Sequence, residues 1–154
     1  MLHLTKKYSI GITMLALALT ANIGKSEDSE TKINLRVKVD GCRNNKGEIR
    51  ASLFKDEKGY PRDDEQIYRK SRARVEKNSA TVVFEELLPG IYALVLFQDE
   101  NMNGKVDRNF IGIPKEGVGF SNNERAKFAP PSFKDCKFEF SRAKPEISIQ
   151  LVYY

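Results

Sequence analysis

The chain has no tryptophan and one histidine, His3, in 154 residues. Histidine is the side chain whose ordinary pKa lies nearest neutrality, and it is the commonest metal ligand. His3 falls inside what reads as an export leader. The remainder therefore has no imidazole to act as a general base, to activate a serine or cysteine, or to hold zinc. The lack of tryptophan weakens the case for a sugar-stacking surface, which would have to use Tyr60, Tyr68, Tyr153 or Tyr154. Long apolar runs are missing too. Ile10 to Ile23 is mostly apolar but shorter than the ~20 residues a spanning helix needs. Lys6 and Lys7 precede it and small residues from Ala21 to Ser26 follow it, the pattern of a secretory signal over residues 1–26. The implied location is periplasmic or extracellular, with a membrane tether by an uncleaved signal as the alternative. No cysteine lies near the expected cut, which argues against a lipoprotein anchor.

Strong charge of one sign is also lacking. The chain carries 26 basic and 21 acidic residues, a net +5. Without Lys6, Lys7 and Lys25 the count is 23 against 21, or +2. Nothing there calls for a nucleic-acid partner, which needs a clustered basic face. Arg69, Lys70, Arg72 and Arg74 form a local basic run, but acids at Asp63, Asp64 and Glu65 adjoin it. A solvated face is the simpler account than a phosphate-binding patch.

Residues 27–32 make a short polar lead-in, and residues 33–154 suffice for one domain with its own core. Lys32 to Asp40 alternates, with Ile33, Leu35, Val37 and Val39 on one face. Glu48 to Lys55 reads as a second strand, joined to the first as a hairpin through the Asn44–Gly47 turn. Further strands are expected over Ile67–Lys77 (a charged edge), Ser79–Leu87, Ile91–Gln98, Lys137–Ser141 and Pro145–Tyr154. No helix is expected after the signal. The pattern predicts an all-β domain, a single antiparallel β-sandwich of about seven strands, immunoglobulin-like or prealbumin-like, with a small barrel as the alternative. Ile91 to Gln98 (IYALVLFQ) is almost unbroken apolar sequence, which suits a strand covered on both faces. The preceding Leu88-Pro-Gly-Ile-Tyr92 resembles a phrase of prealbumin-like and collagen-binding-repeat sandwiches. That resemblance implies that the Tyr92 hydroxyl returns to nearby backbone.

That strand runs into Asp99-Glu-Asn-Met-Asn-Gly-Lys-Val-Asp107. Side-chain oxygens at Asp99, Asn101, Asn103 and Asp107, with Gly104 after the third and the Lys105 carbonyl between, follow the opening of an EF-hand-type calcium loop. The expected bidentate Glu is replaced by Phe110, so Glu116, Glu100 or water would have to complete the shell. Affinity would then be weak, roughly 10⁻⁴–10⁻³ M. The alternative is a loop that closes on itself, since Asn, Asp and Gly favour turns for their own reasons. The segment after Asp107, rich in glycine, reads as an ordered loop anchored by Ile111, Ile113, Val118 and Phe120. Glu100, Glu116, Asn122 and Asn123 are its candidate ligands or contacts.

Tyr92 through Asn123 resembles an uncharacterised family of exported bacterial proteins, domain of unknown function 2141. Its hallmark is Y-A-h-x-h-x-H-D-E-N-x-N-G-K-h-D followed by G-h-P-x-E-G-x-G-F-S-N, with h apolar. The match runs through Tyr92, Ala93, Asp99, Glu100, Asn101, Asn103, Gly104, Lys105 and Asp107, then from Gly112 and Pro114 to Asn122. Gln98 stands where the family usually has His. The resemblance implies a compact exported β domain and carries no known activity.

Cys42 and Cys136 are the only cysteines. An even count in an exported chain points to a disulfide, and one closing so long a loop is worth ~4–5 kcal/mol on chain entropy. Three function classes remain. The first is a non-catalytic exported domain that contacts an envelope or extracellular component, with calcium as its possible cofactor. The second is a carbohydrate-binding module. The third is a carboxylate-based hydrolase using Asp99, Glu100, Asp107 or Glu116.

Overall fold

The structure is a computed structural model that describes residues 31–154. The export signal expected over residues 1–26, and the lead-in up to residue 30, lie outside the described residues. Eight strands follow: β1 (Ile33–Asp40), β2 (Glu48–Phe54), β3 (Arg69–Arg74), β4 (Ser79–Leu87), β5 (Gly90–Asp99), β6 (Val118–Phe120), β7 (Phe138–Phe140) and β8 (Glu146–Gln150). They form a three-stranded sheet, β4-β1-β8, and a five-stranded sheet, β3-β2-β5-β6 with β7 also on β5. The all-β sandwich read from the sequence is the observed architecture.

Three details differ from expectation. β1 and β2 are not a hairpin: β1 pairs with β4 and β8, and β2 pairs with β3 and β5. The 41–47 connection instead carries the chain from one sheet to the other, starting at Gly41 with φ +82°. Alternation shows which face of a strand is buried but not which strand lies beside it. Second, the sandwich is not purely antiparallel, since β1 and β8 run parallel with Val37 opposite Ile147. Third, β6 is an additional strand, and Phe133–Cys136 is a single helical turn, α1, with a capping box between Ser132 and Asp135. β3 sits at a sheet edge as expected. Its basic side chains are partly paired, Lys70 with Asp64 at 3.4 Å and Arg72 with Glu48 at 3.6 Å.

The main core lies between the sheets, with Leu35, Val37, Val39, Ile49, Leu53, Val82 and Phe84 buried beside Tyr92, Leu94 and Leu96. A second cluster covers the outer face of the five-stranded sheet, where Ala93, Val95 and Phe97 of β5 meet Val118, Phe120, Tyr60, Phe133 and Cys136. Successive β5 residues thus enter different cores, which is why that strand reads as continuous apolar sequence. Each fully buried Leu or Val contributes ~1.5–3 kcal/mol. Tyr92 is buried among them, and its hydroxyl donates to the Leu88 carbonyl at 2.8 Å, as its neighbours in sequence implied.

Cys42 belongs to the cluster between the sheets and Cys136 to the outer one. The expected bridge is not made. Both are free, buried thiols on opposite faces of the five-stranded sheet, which would have to open for their sulfurs to approach. Burial pushes the Cys42 thiol up to about 11 and raises Cys136 as well.

Candidate functional site

β5 delivers Asp99 to the rim of the five-stranded sheet as its last residue, fully buried. Its carboxylate accepts the backbone N–H of Asn103 at 3.0 Å and of Gly104 at 2.8 Å. This bends the chain back sharply, and Gly104 takes φ +82° at the bend, where a side chain would be strained. The next turns repeat the device. The Asn101 carbonyl oxygen accepts from the Asn103 N–H, and the Asn103 carbonyl oxygen accepts from the Lys105 N–H. The two amide NH₂ groups converge on Asp107, at 2.7 Å from Asn101 and 3.0 Å from Asn103.

The cation beside Asp99 is a side chain. Arg50 of β2 places Nε 2.7 Å from the Asp99 carboxylate and Nη2 2.9 Å from Glu48, which is also buried. Sequence reasoning missed Arg50 and Glu48. The signal available was a pair of opposite charges two residues apart, hence on one face, in a strand with apolar neighbours.

Glu116 closes the far end of the loop. It is buried, and its two oxygens accept the N–H groups of Glu100 at 3.0 Å and Asp107 at 2.9 Å. Burial raises its carboxyl above the ordinary range, although the two N–H groups pull the other way. Glu100 itself is held by Arg43 at 2.7 Å and by the Asn44 amide at 3.0 Å. Every acid of the candidate cluster therefore has donors within the chain. Asp99, Asn101, Asn103, Lys105, Asp107 and Glu116 do share one loop. Among the described residues, however, no group of three or more His, Cys, Asp or Glu is arranged to hold a metal ion. The Asn amides turn nitrogen rather than oxygen towards Asp107.

Asn122 and Asn123 are staples rather than free contacts. Both take positive φ. The Asn122 amide donates to the carbonyls of Asp135 and Lys137, and Asn123 accepts the Gln150 N–H at 2.8 Å. Gln98 is also a strut. Its amide donates to Asn44 and Lys46, and its oxygen accepts the Tyr153 hydroxyl at 2.6 Å. Val118 and Phe120 anchor the segment as expected. Ile111 and Ile113 do not. They belong to a small hairpin held by Asn109, with Phe110 99 % exposed and Ile111 65 % exposed at its tip. The turn chemistry of Asn109 and Gly112 determines which way that tip points.

Between this hairpin, the 61–67 loop and the 126–130 segment, the outer face of β5 and β6 is left as a cleft of about 600 Å³. Val95, Phe97, Val106, Val118 and Phe120 line it, and Ile111, Ile113 and the fully exposed Phe128 stand at its border. Tyr60 and Tyr68 offer no free stacking platform. Tyr60 packs edge-on between Phe54 and Phe133, and Tyr68 stacks on Tyr92 with Lys55 and Arg69 over its ring.

Among the described residues, no helix is long and apolar enough to cross a membrane. No curated protein and no solved structure matches the chain. A family model does, over residues 37–148, which takes in both sheets, the buttressed loop and the FSNN staple: the chain belongs to the family described as uncharacterized protein conserved in bacteria (DUF2141).

Proposed function

We propose that this is an exported, non-catalytic β-sandwich domain that presents the 99–123 segment to an envelope or extracellular component. One observation carries the reading. A loop braced at its base by the buried Asp99 and Glu116 carboxylates holds Phe110 and Ile111 out in solvent. Exposed apolar side chains on a rigid support cost little ordering entropy when a partner covers them. The absence of imidazole after residue 26, and the commitment of each clustered carboxylate to internal donors, support a binding role over a hydrolytic one. The engaged rings of Tyr60 and Tyr68 count against the carbohydrate reading.

Calcium is the second reading, favoured by the succession of Asx turns ending at Gly104. It requires the Asn101 and Asn103 amides to turn over and Asp99 to share its charge with Arg50.

Fractionation of cells expressing the full chain tests the proposal. The protein is expected outside the cytoplasm, shortened near Ser26, and sedimenting with envelope fragments. A Phe110→Ser, Ile111→Ser variant should lose sedimentation while keeping its melting curve. Full-length protein in the cytosol, or equal sedimentation of the variant, would overturn it.

A further inference from the structure

The cleft beside the loop has a lining chemistry of its own. Its floor is the apolar outer face of β5 and β6, and backbone groups there are already spent on the ladder and on the bridge from Val118 to Val152. Ser52 and Tyr154 are the only uncharged polar side chains in the lining. Over that floor a sugar or a peptide backbone would bury polar groups without partners, at a cost that opposes binding. An alkyl chain has no such groups. A volume of about 600 Å³ lies in the range of small-molecule sites.

The charges in the lining are one-sided. Arg62, Lys105, Arg108 and Lys127 line the cleft against a single acid, Asp64, which is drawn to Lys70 outside it. Arg108 donates to the Gly112 carbonyl. Arg62, Lys105 and Lys127 form no ion pair with any described residue and are exposed. Three unengaged cations around an apolar floor complement a molecule with one anionic head and one saturated chain. We propose that the cleft binds a free long-chain carboxylate, with the chain over Val95, Phe97 and Phe120 beneath Phe128, and the head between Lys105 and Lys127. This rests on the reading of the domain as a binding module and names a ligand class for it.

Calorimetric titration of the purified protein with dodecanoate, below its micelle concentration, is the test. One saturable site is expected, at least tenfold tighter for dodecanoate than for dodecyltrimethylammonium. Affinity should rise roughly three- to fourfold for each methylene from octanoate to dodecanoate. Lys105→Gln with Lys127→Gln should weaken binding roughly two- to tenfold. Lys105→Glu with Lys127→Glu should invert the preference between the two head groups, an outcome a misfolded variant cannot give. Absence of a saturable site, indifference to head-group sign, or an unchanged preference in the Glu variant would overturn the proposal. Loss of dodecanoate binding with envelope sedimentation intact would refute this ligand and leave the binding-module reading standing.

Discussion

Replacing Arg50 by Gln removes the one cation in contact with both Asp99 and Glu48. Its effect can be worked from the geometry. Both carboxylates are buried, and the guanidinium lies 2.7 Å from one and 2.9 Å from the other. Breaking a buried pair by removing one partner typically costs ~3–5 kcal/mol. Two features lower that figure. The Arg50 side chain is 33 % exposed, so water screens part of its interaction. Asp99 also keeps the N–H groups of Asn103 and Gly104. The expected loss is about 2–3 kcal/mol, or about 10 °C in Tm for a domain of this size.

Circular-dichroism melts of the wild type, Arg50→Gln and Arg50→Lys, each with chelator and with ~1 mM calcium, are the assay. Arg50→Lys should recover part of the loss, because an ammonium can meet one carboxylate well but not both with fork geometry. The wild type should melt at the same temperature with calcium as with chelator. A loss under about 0.5 kcal/mol on Arg50→Gln would refute the role given to the ion pair. If calcium at ten times its Kd stabilised the wild type by about 1.4 kcal/mol, and Asp99→Ala abolished the effect, the loop would be a metal site and Arg50 secondary.

Tyr92→Phe removes one hydroxyl donating to the Leu88 carbonyl and should cost about 0.5–1.5 kcal/mol by denaturant titration, with an unchanged circular-dichroism spectrum. Glu116 should titrate above its ordinary 4.5, because burial favours its neutral form. Its contribution to stability is then fully present below 4.5 and is lost as pH rises through the raised folded value. The difference between wild type and Glu116→Gln isolates that slope from Glu146 and Asp135, whose lowered values act in the opposite sense. A carboxyl carbon resonance titrating at or below 4.5 would refute it. Cys42 and Cys136 should react with a thiol reagent only on unfolding, and then as two thiols. One mole or less of thiol in the unfolded, unreduced protein would restore the disulfide.

The strand pattern was legible because burial is recorded locally. Leu35, Val37 and Val39 alternate with Asn34, Arg36 and Lys38, and β5 is apolar at consecutive positions because it has a core on each face. The 118–120 strand was not, and its glycines are the reason. A Cβ at Gly117 would lie 2.5 Å from the Tyr153 ring, so the residue that reads as a loop signal is there for close packing. The Cys42–Cys136 bridge was misread for a related cause. Cysteine count and compartment speak of chemistry, while the two thiols are separated by a sheet whose order the sequence does not display.

The Asp99 loop shows where a local pattern stops discriminating. A calcium loop and a self-closed loop both need short oxygen side chains at alternate positions to accept backbone N–H groups, so both are written Asp-x-Asn-x-Asn-Gly. What separates them is the cation, and here a neighbouring strand already supplies one. In the β2–β5 register Glu48 lies directly opposite Asp99. Like charges facing each other across a ladder repel, and burial of both sharpens the conflict. A cation within reach of both relieves that conflict, whatever the loop binds. Arg50, two residues along β2 and on the same face as Glu48, supplies it. Had the register been known, the Glu48-Ile-Arg50 triplet would have identified the partner of Asp99. Without it, the sequence leaves Asp99 an acid in want of a positive charge, which is why it reads so readily as a metal ligand.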